Sequence, residues 1–258
     1  MLESLIAAAL SAGREIMAVH AAGPHVTYKN DCSPVTEADQ RAEDIILSAL
    51  ARDYRDIPVV AEEAATTGHV PEVDSDFFLV DPLDGTKEFI SGKQDFTVNI
   101  ALIRSGKPVI GVVYAPALGV AWTGEGERAR KLFISGDFEP ASNHSIRCRA
   151  KPALPVAVIS RSHCTPKTEA FVADNGLIDS ISIGSSLKFC MLAEGAADVY
   201  PRFSRTMMWD TAAGDAVLRA AGGITLDMAG LPLRYEIDRS NDDMLANPDF
   251  IAWGAPPR

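Results

Sequence analysis

The chain of 258 residues carries a formal net charge of −11, with 47% hydrophobic and 23% charged residues. This composition is typical of a globular protein that buries one large core or two modest lobes. The negative charge disfavours nucleic-acid polymers as partners, because no basic field is present to displace their counterions. A small anionic substrate remains compatible with it, provided that bound cations invert the local field.

The amino terminus predicts a packed amphipathic helix and not a signal peptide. It opens with Met1-Leu2-Glu3 and lacks a basic segment. Its apolar residues recur with helical spacing on one face. They are Leu5, Ile6, Ala9, Leu10, Gly13, Ile16 and Met17. We expect no transmembrane segment anywhere in the chain, since a span needs about 20 apolar residues.

The first half continues with a second helix and a set of strands. Thr36 is expected to cap the helix, with apolar residues following it at helical spacing. Strands are predicted near residues 58–61, 77–80, 96–103 and 108–115, and we expect them to form an antiparallel meander. Residues 124–149 are charged and irregular, so a loop-rich hairpin is expected there.

The second half alternates between strand and helix patterns. Strands are predicted at 156–160, 179–183, 197–201 and 224–226, and helices at 167–175, 186–194 and 211–221. This α/β character differs from that of the first half. The chain is therefore predicted to form an N-terminal α+β lobe, residues 1–145, and a C-terminal α/β lobe, residues 146–258.

The cysteines indicate a reducing compartment. Cys32, Cys148, Cys164 and Cys190 are scattered, without the CxxC spacing of a zinc site. Reduced thiols in a cytoplasmic protein are the expectation, with peripheral association at the inner face of the cell membrane kept as an alternative.

Acidic residues follow three predicted elements. Asp81 and Asp84 leave a strand on the turn DPLDGT at residues 81–86, Glu62 and Glu63 end another apolar run, and Asp210 precedes a helix. A carboxylate-rich turn of this kind suits hard divalent cations, which take several oxygen ligands and leave room for phosphate oxygens. The clusters together are interpreted as one metal site.

Each cluster also has a simpler interpretation. Asp210 alone is typical of a helix N-cap, the Asp81–Asp84 turn of a self-bonded Asp turn, and Glu62 and Glu63 of a solvated strand end. An EF-hand is excluded because it needs acids at alternate positions and a Glu at the twelfth. An aspartyl-phosphate phosphatase is disfavoured because its acids are normally two residues apart.

Several motifs together resemble the inositol monophosphatase superfamily and, within it, the CysQ-type 3′(2′),5′-bisphosphate nucleotidases. They are EE at 62–63, DPLDGTKEF at 81–89, SRSH at 160–163, IGSSLKF at 183–189, YPRF at 200–203 and WDTAAG at 209–214. The resemblance extends from about residue 29 to residue 248. It implies a layered αβαβα sandwich of two lobes with the site between them.

The same resemblance implies two or three Mg²⁺ ions as cofactors. Their predicted ligands are Glu62, Asp81, the carbonyl of Leu83, Asp84 and Asp210. Thr86 is expected to orient the attacking water, with Asp39 polarising its hydroxyl and Glu63 ordering nearby groups. Asp39 also suits a helix-dipole acid in the first turn of its helix, and this alternative remains open.

Substrate recognition is expected to involve both lobes. The predicted substrate-binding residues are Glu62, Leu83, Asp84, Gly85, Thr86, Lys87, Ser185, Lys188, Arg202 and Asp210. Phe203 stands where inositol phosphatases carry an acid, and it could stack on a nucleotide base. The alternative is that Phe203 belongs to the core and that Arg202 and Lys188 are solvated. Arg161 and His163 are weaker candidates.

The expected activity is Mg²⁺-dependent hydrolysis of the 3′-phosphate of adenosine 3′,5′-bisphosphate to AMP, with inhibition by Li⁺. It would clear a by-product of sulfur metabolism. One alternative is an inositol-phosphate or sugar-phosphate phosphatase, which Phe203 argues against. Another is a metal-gated binding protein without turnover, which the intact acids and Thr86 argue against. The expected assembly is a monomer or homodimer.

Overall fold

Two long helices begin the chain in the computed structural model, which describes residues 1–29, 33–161, 164–177, 179–241 and 243–255. They are α1 (Leu2–Ala22) and α2 (Glu37–Asp53). Between them lies a short antiparallel pair, β1 (Val26–Tyr28) and β2 (Pro34–Thr36). Thr36 caps α2 as predicted, since its side chain accepts a hydrogen bond from the backbone N–H of Ala38.

The prediction about membrane spans needs a correction at α1. This helix has 21 residues and a mean hydropathy of 1.3, so by length and composition alone it could cross a membrane. Half of the most apolar stretch of this helix is buried inside the fold. Leu5, Ala9, Ala12 and Ile16 are inaccessible to solvent, because α1 packs against α2 and a sheet. The apolar residues of α1 therefore form part of the core.

A seven-stranded sheet follows, within the described residues, in chain order from edge to edge. Its strands are β3 (Val59–Ala61), β4 (Asp76–Asp84), β5 (Thr97–Arg104), β6 (Lys107–Ala115), β7 (Val120–Glu125), β8 (Arg128–Ile134) and β9 (Pro140–Ile146). The predicted meander is wrong at its start: β3 and β4 are parallel, joined through the short helix α3 (Glu62–Thr66). Another short helix, α4 (Thr86–Ile90), joins β4 to β5, and a 3₁₀ turn (Pro116–Leu118) joins β6 to β7.

The hairpin expected at residues 124–149 is confirmed, but the prediction that it is rich in loops is wrong. β8 and β9 are regular strands that pair antiparallel along their length. β9 lies at the edge of the sheet, and all its residues except Ile146 are exposed. A strand with no buried face lacks the alternation of apolar and polar residues by which strands are recognised, so β9 could not be predicted from its residue pattern.

A second sheet contains five strands among the described residues, in the order β11-β10-β12-β14-β13. They are β10 (Val156–Ser160), β11 (Asp179–Ile183), β12 (Val199–Arg202), β13 (Ile224–Asp227) and β14 (Phe250–Trp253). The associated helices are α5 (Pro166–Asp174), α6 (Leu187–Ala193) and α7 (Met208–Ala220). The predicted alternation is confirmed, except that β14 was missed and α7 begins three residues before the predicted start.

Hydrophobic contacts follow a layered arrangement. One cluster joins α1 and α2 to one face of the seven-stranded sheet. Another joins the opposite face to α6, α7 and the second sheet, and a small one places Phe171 of α5 against Val199. The predicted αβαβα sandwich is confirmed. The lobe boundary after residue 145 remains a prediction; the sheets themselves occupy residues 59–146 and 156–253.

Two glycines allow α7 to approach the seven-stranded sheet. A Cβ on Gly111 would lie 2.3 Å from the carbonyl oxygen of Ala213, and one on Gly124 would lie 2.6 Å from the Cα of Val217. Because the obstructing atoms belong to the backbone, no side-chain rotation could relieve the overlap. The close packing of α7 fixes the position of its first turn, where Asp210 lies.

We expect Gly124→Ala to lower the free energy of unfolding by about 1–3 kcal/mol, because the added methyl group overpacks this contact. Gly136→Ala is the matched control, since a Cβ there has no neighbour within 4 Å. The control should be neutral or slightly stabilising. Urea unfolding of both variants measures the difference, and equal midpoints would contradict the proposed packing constraint.

Candidate active site

A cavity of about 640 Å³ opens between the ends of the two sheets. Every residue of the predicted metal and substrate-binding sets lines it. They are Glu62, Asp81, Leu83, Asp84, Gly85, Thr86, Lys87, Ser185, Lys188, Arg202 and Asp210. Asp39 and Glu63 lie behind this lining. The cavity therefore brings together predicted residues that are up to 148 positions apart in the chain, from Glu62 to Asp210.

Asp81 and Asp84 lie at the end of β4, where the pairing with β5 is interrupted. Asp81 Oδ1 accepts a hydrogen bond of 3.0 Å from the backbone N–H of Leu83, and the Nδ2 of Asn99 lies 3.4 Å from Asp84 Oδ2. Gly85 then turns the chain with φ 96°, a left-handed conformation that favours glycine. The irregularity directs both carboxylates of the turn towards the cavity.

Glu62 and Glu63 do not form a solvated strand end. They open the helix α3, and Glu63 is buried. The ammonium of Lys29 contacts both carboxylates, at 2.8 Å from Glu62 Oε1 and 2.7 Å from Glu63 Oε1. Burial, and then repulsion by Glu62, raises the pKa of Glu63 to about 7. Lys29 was not predicted, because an isolated lysine before a loop carries no sequence signal.

Asp39 has contacts both at the start of its own helix and with Thr86. Its Oδ2 accepts hydrogen bonds of 2.8 Å from the backbone N–H and from the hydroxyl of Thr36, completing a capping box at the start of α2. Its Oδ1 accepts a hydrogen bond of 3.0 Å from the hydroxyl of Thr86. Asp39 therefore completes the capping box that Thr36 begins and also accepts from Thr86, and its catalytic role stays a prediction.

Asp210 is the third residue of α7 and not the residue before it. Its Oδ2 accepts a hydrogen bond of 2.9 Å from the backbone N–H of Met207, which closes the first turn of the helix. Burial, followed by repulsion from Asp84 and Glu62, raises the pKa of Asp210 to about 8. The N-cap interpretation was wrong about the position of Asp210 but right that its side chain satisfies a free backbone donor at the start of the helix.

The acidic cluster is electrostatically unfavourable in the absence of a cation. Burial raises the pKa of Asp84 to about 6, and burial with repulsion from Glu62, Asp84 and Asp210 raises the pKa of Asp81 well above its ordinary value. Across the part of the chain that the structure describes, no three Asp, Glu, His or Cys residues form a ready-made metal cage. The carboxylates line one cavity, but among the described residues they do not lie close enough together to form a single coordination shell.

Two cations of the second lobe are buried at the same cavity. Lys188 is 5% exposed and Arg202 is 6% exposed, so the interpretation of both as solvated is wrong. Burial lowers the pKa of Lys188 to about 8, although Asp84 opposes the change. The Lys188 ammonium donates to the carbonyl of Ser185. Arg202 donates to the carbonyls of Ser204 and Arg205, at 3.2 and 3.1 Å.

Phe203 belongs to the core, as the alternative interpretation proposed. Its ring packs edge-on against Phe171 of α5 at 5.5 Å between centroids, and the ammonium of Lys167 lies 4.8 Å from its centre. Phe203 is not among the described residues that line the cavity. Stacking of a nucleotide base on Phe203 is therefore not supported.

The structure places Arg161 and Lys87 near the site, whereas His163 cannot be placed. Arg161 forms an ion pair with Asp95, whose carboxylate also accepts a hydrogen bond of 2.7 Å from the backbone N–H of Gly184. This arrangement ties the two lobes together beside Ser185. His163 lies outside the described residues. Lys87 is exposed at the cavity.

The segment before β14 adds lining residues that the sequence did not indicate, among them Arg239 and Met244. Arg239 donates to the carbonyl of Val70 at 3.1 Å and also to that of Pro71, and so fixes this segment to the first lobe. Residues in an irregular segment have no periodicity, so only the folded chain reveals that they reach the cavity.

Comparisons with known proteins agree with this geometry. The family model described as the inositol monophosphatase family matches residues 1–249. The 3′(2′),5′-bisphosphate nucleotidase CysQ of Escherichia coli O157:H7 is 45% identical over 238 residues, which cover 91% of this chain and 94% of the relative. The corresponding CysQ of Buchnera aphidicola is 38% identical over 239 residues, covering 92% and 88%.

Solved structures show the same similarity. The crystal structure of CysQ from Bacteroides thetaiotaomicron, a bacterial member of the inositol monophosphatase family, has a TM-score of 0.80 and 38% identity, covering 99% of this chain and 97% of that one. An IMPase of Thermotoga maritima has a TM-score of 0.75 at 24% identity, covering 96% and 90%, and shows the shared fold. The resemblance inferred from the motifs is confirmed: the chain belongs to the inositol monophosphatase family.

Proposed function

We propose that the chain is a Mg²⁺-dependent phosphatase that removes the 3′-phosphate of adenosine 3′,5′-bisphosphate and leaves AMP and inorganic phosphate. The observation that carries the proposal is the convergence of buried carboxylates and two buried cations on one cavity. Relatives named 3′(2′),5′-bisphosphate nucleotidase, at 44–45% identity, support this substrate class. Such an activity would clear the nucleotide left after sulfate activation and transfer.

The donor set fits hard divalent cations. Glu62, Asp81, Asp84 and Asp210 offer carboxylate oxygens and Leu83 offers a carbonyl, which are the ligand types that Mg²⁺ prefers. Burial, with repulsion from Glu62, raises the pKa values of Asp84 and Asp210 although Lys188 and Arg202 partly oppose the change, and a bound cation would relieve this repulsion. We propose that these residues hold two or three Mg²⁺ ions. When bound, Mg²⁺ would stabilise charge on the transferring phosphoryl group and make the attacking water more acidic.

Thr86 and Asp39 are proposed to orient the attacking water. Because the Thr86 hydroxyl donates its proton to Asp39, its oxygen lone pairs remain available to accept a hydrogen bond from water. Asp39 is itself held by Thr36, so the carboxylate that accepts from Thr86 is in place before substrate binds. Phosphoryl transfer depends largely on such positioning and on charge stabilisation.

The turn after β4 is proposed to receive the transferring phosphate. The N–H groups of Gly85 and Thr86 lie at the start of α4, and clustered amides of a turn bind phosphate oxygens. Lys87 is exposed beside them and would meet the incoming anion. Glu63 is proposed to order this region indirectly, through the Lys29 ammonium that it shares with Glu62.

Lys188, Arg202 and Ser185 are proposed to recognise the second phosphate of the nucleotide. Both cations are buried, so a phosphate that reached them would be bound in a partly desolvated setting where charge-assisted hydrogen bonds are strong. Arg202 has a planar fork of donors, whereas Lys188 provides a single point of charge. This arrangement favours a substrate with two phosphates over one with a single phosphate.

We expect Asp84→Asn and Asp210→Asn each to lower turnover by orders of magnitude while the fold is retained, because each removes an anionic metal ligand. Asp76→Asn is the control, since Asp76 lies at the opposite end of β4 in an ion pair with Arg104. Phosphate release from adenosine 3′,5′-bisphosphate, with and without Mg²⁺, measures the effect. Near-normal turnover in either purified site variant would overturn the proposed metal site.

Thr86→Ala is expected to lower kcat by about 10²–10⁴-fold, the usual cost of losing a group that handles a proton. Mg²⁺ binding should change little, because no charge is removed. Asp39→Asn should add little to the defect of Thr86→Ala if the pair acts as one unit. Ser91→Ala, at the other end of α4, is the control, as its hydroxyl bonds only the carbonyl of Lys87 in the described contacts. Additive losses would assign Asp39 a separate role.

Arg202→Ala is expected to lower kcat/KM for adenosine 3′,5′-bisphosphate by on the order of 30- to 150-fold, which corresponds to roughly 2–3 kcal/mol at about 1.4 kcal/mol per tenfold. Lys188→Gln should act in the same direction but more weakly. Lys167→Gln is the control, because Lys167 is exposed and pairs with Asp249.

The same variants are then compared on inositol 1-phosphate, which has a single phosphate. Its kcat/KM should fall much less than that of the bisphosphate. Equal losses on both substrates would place recognition of the second phosphate elsewhere. A wild-type preference for inositol 1-phosphate would contradict the proposed substrate and favour a sugar-phosphate phosphatase.

A further inference from the structure

The helix α3, which begins with Glu62, has no side-chain cap from its own N-cap residue. It contains five residues, Glu62–Thr66, fewer than an isolated helix needs to be stable. Its N-cap residue is Ala61, whose methyl group cannot accept a hydrogen bond from the free N–H groups of the first turn. The orientation of α3 must therefore be imposed by another part of the fold.

Glu43 of α2 supplies the missing cap. Its Oε2 accepts a hydrogen bond of 2.8 Å from the backbone N–H of Glu63, and its Oε1 accepts one of 2.9 Å from the N–H of Ala64. Glu43 is 1% exposed, so these contacts are shielded from water. Two charge-assisted bonds from one carboxylate fix both the position and the direction of the helix start.

The same helix also fixes the opposite side of the site. Asp39 and Glu43 are four residues apart and so lie on one face of α2. Asp39 accepts the hydroxyl of Thr86, while Glu43 accepts the amides at the start of α3. Since α2 is packed against α1 and the sheet, a single rigid element holds two parts of the site in register.

We propose that Glu43 is a positioning residue that sets the direction in which α3 presents Glu62 to the metal site. The inference rests on the proposed function, because it assumes that Glu62 is a metal ligand. Glu43 itself is not among the described residues that line the cavity, so it acts through the backbone of α3. Its removal should weaken cation binding even though no ligand is lost.

The experiment measures Mg²⁺ binding to the substrate-free protein by titration calorimetry. Glu43→Gln keeps the size of the side chain, but its NH₂ group faces a backbone donor and cannot accept its hydrogen bond. We expect the dissociation constant for Mg²⁺ to rise about 10- to 100-fold, the usual cost of losing a group that orients a metal ligand. At saturating Mg²⁺, the KM for adenosine 3′,5′-bisphosphate should remain near that of the wild type.

Glu43→Asp distinguishes the effect of losing the hydrogen bonds to α3 from the effect of losing the negative charge. It keeps the negative charge but is one methylene shorter, so it cannot reach both amides and should also weaken Mg²⁺ binding. Ala61→Ser in the Glu43→Gln background offers a local cap at a residue that already has the extended N-cap conformation, and it should restore part of the affinity. Glu15→Gln is the matched control, since it removes a carboxylate that pairs with Arg41 on the outside of α2.

Unchanged Mg²⁺ affinity in folded Glu43→Gln and Glu43→Asp would overturn the inference while leaving the proposed function intact. A wild-type protein that binds no Mg²⁺ would overturn both. If Glu43→Gln does not fold, Glu43→Asp and the Ala61→Ser double variant decide the question by the same titration. Restoration of folding by Ala61→Ser without any gain in Mg²⁺ affinity would reduce Glu43 to a purely structural role.

Discussion

Like charges held together out of water are the constraint on which this structure depends. Glu62, Asp81, Asp84 and Asp210 face one cavity, and burial together with their mutual repulsion raises the pKa values of the three aspartates. Such a cluster is unstable in itself, because each negative charge increases the cost of the next. The surrounding backbone must therefore hold the carboxylates by contacts that do not depend on a cation.

Those contacts are mostly backbone amides at the ends of helices and strands. Asp81 accepts from Leu83 and Asp210 accepts from Met207, while Glu43 holds the turn that presents Glu62. Asp81 and Asp210 are thus each fixed by a local backbone donor, while Glu62 and its helix are held by more distant residues, and all three acids line the cavity. The positions of the acids are fixed, but their negative charges still repel one another. This suits a site that becomes more stable when a cation binds.

Tight packing of the layers brings these acidic side chains together. α7 approaches the seven-stranded sheet closely enough that glycine is required at Gly111 and Gly124, and Asp210 lies in its first turn. The hydroxyl of Ser186 donates to the carbonyl of Asp210 at 2.6 Å and also bonds Asn99 of β5. Lys188 of α6 and Arg202 of β12 line the same cavity as the acids, so the packing of the layers sets where these two cations lie.

The sequence by itself determined the elements and most of the site. Hydrophobic periodicity gave α1, α2 and the strands with a buried face, and separate acidic motifs predicted residues that do share one cavity. These signals are local, because a helix or strand with one buried face repeats its apolar residues at a fixed spacing. The edge strand β9 and the short helix α3 had no such repeat, so they were missed.

Only the tertiary structure decided how the residues are used. Phe203 and Arg202 are adjacent in the sequence, yet Arg202, the last residue of β12, lines the cavity, whereas Phe203, the first residue beyond that strand, packs against α5. Lys29 and Glu43 were not predicted at all, since each acts on a segment 20 or more positions away. A contact between distant segments depends on how layers pack, and no local pattern in the chain records it.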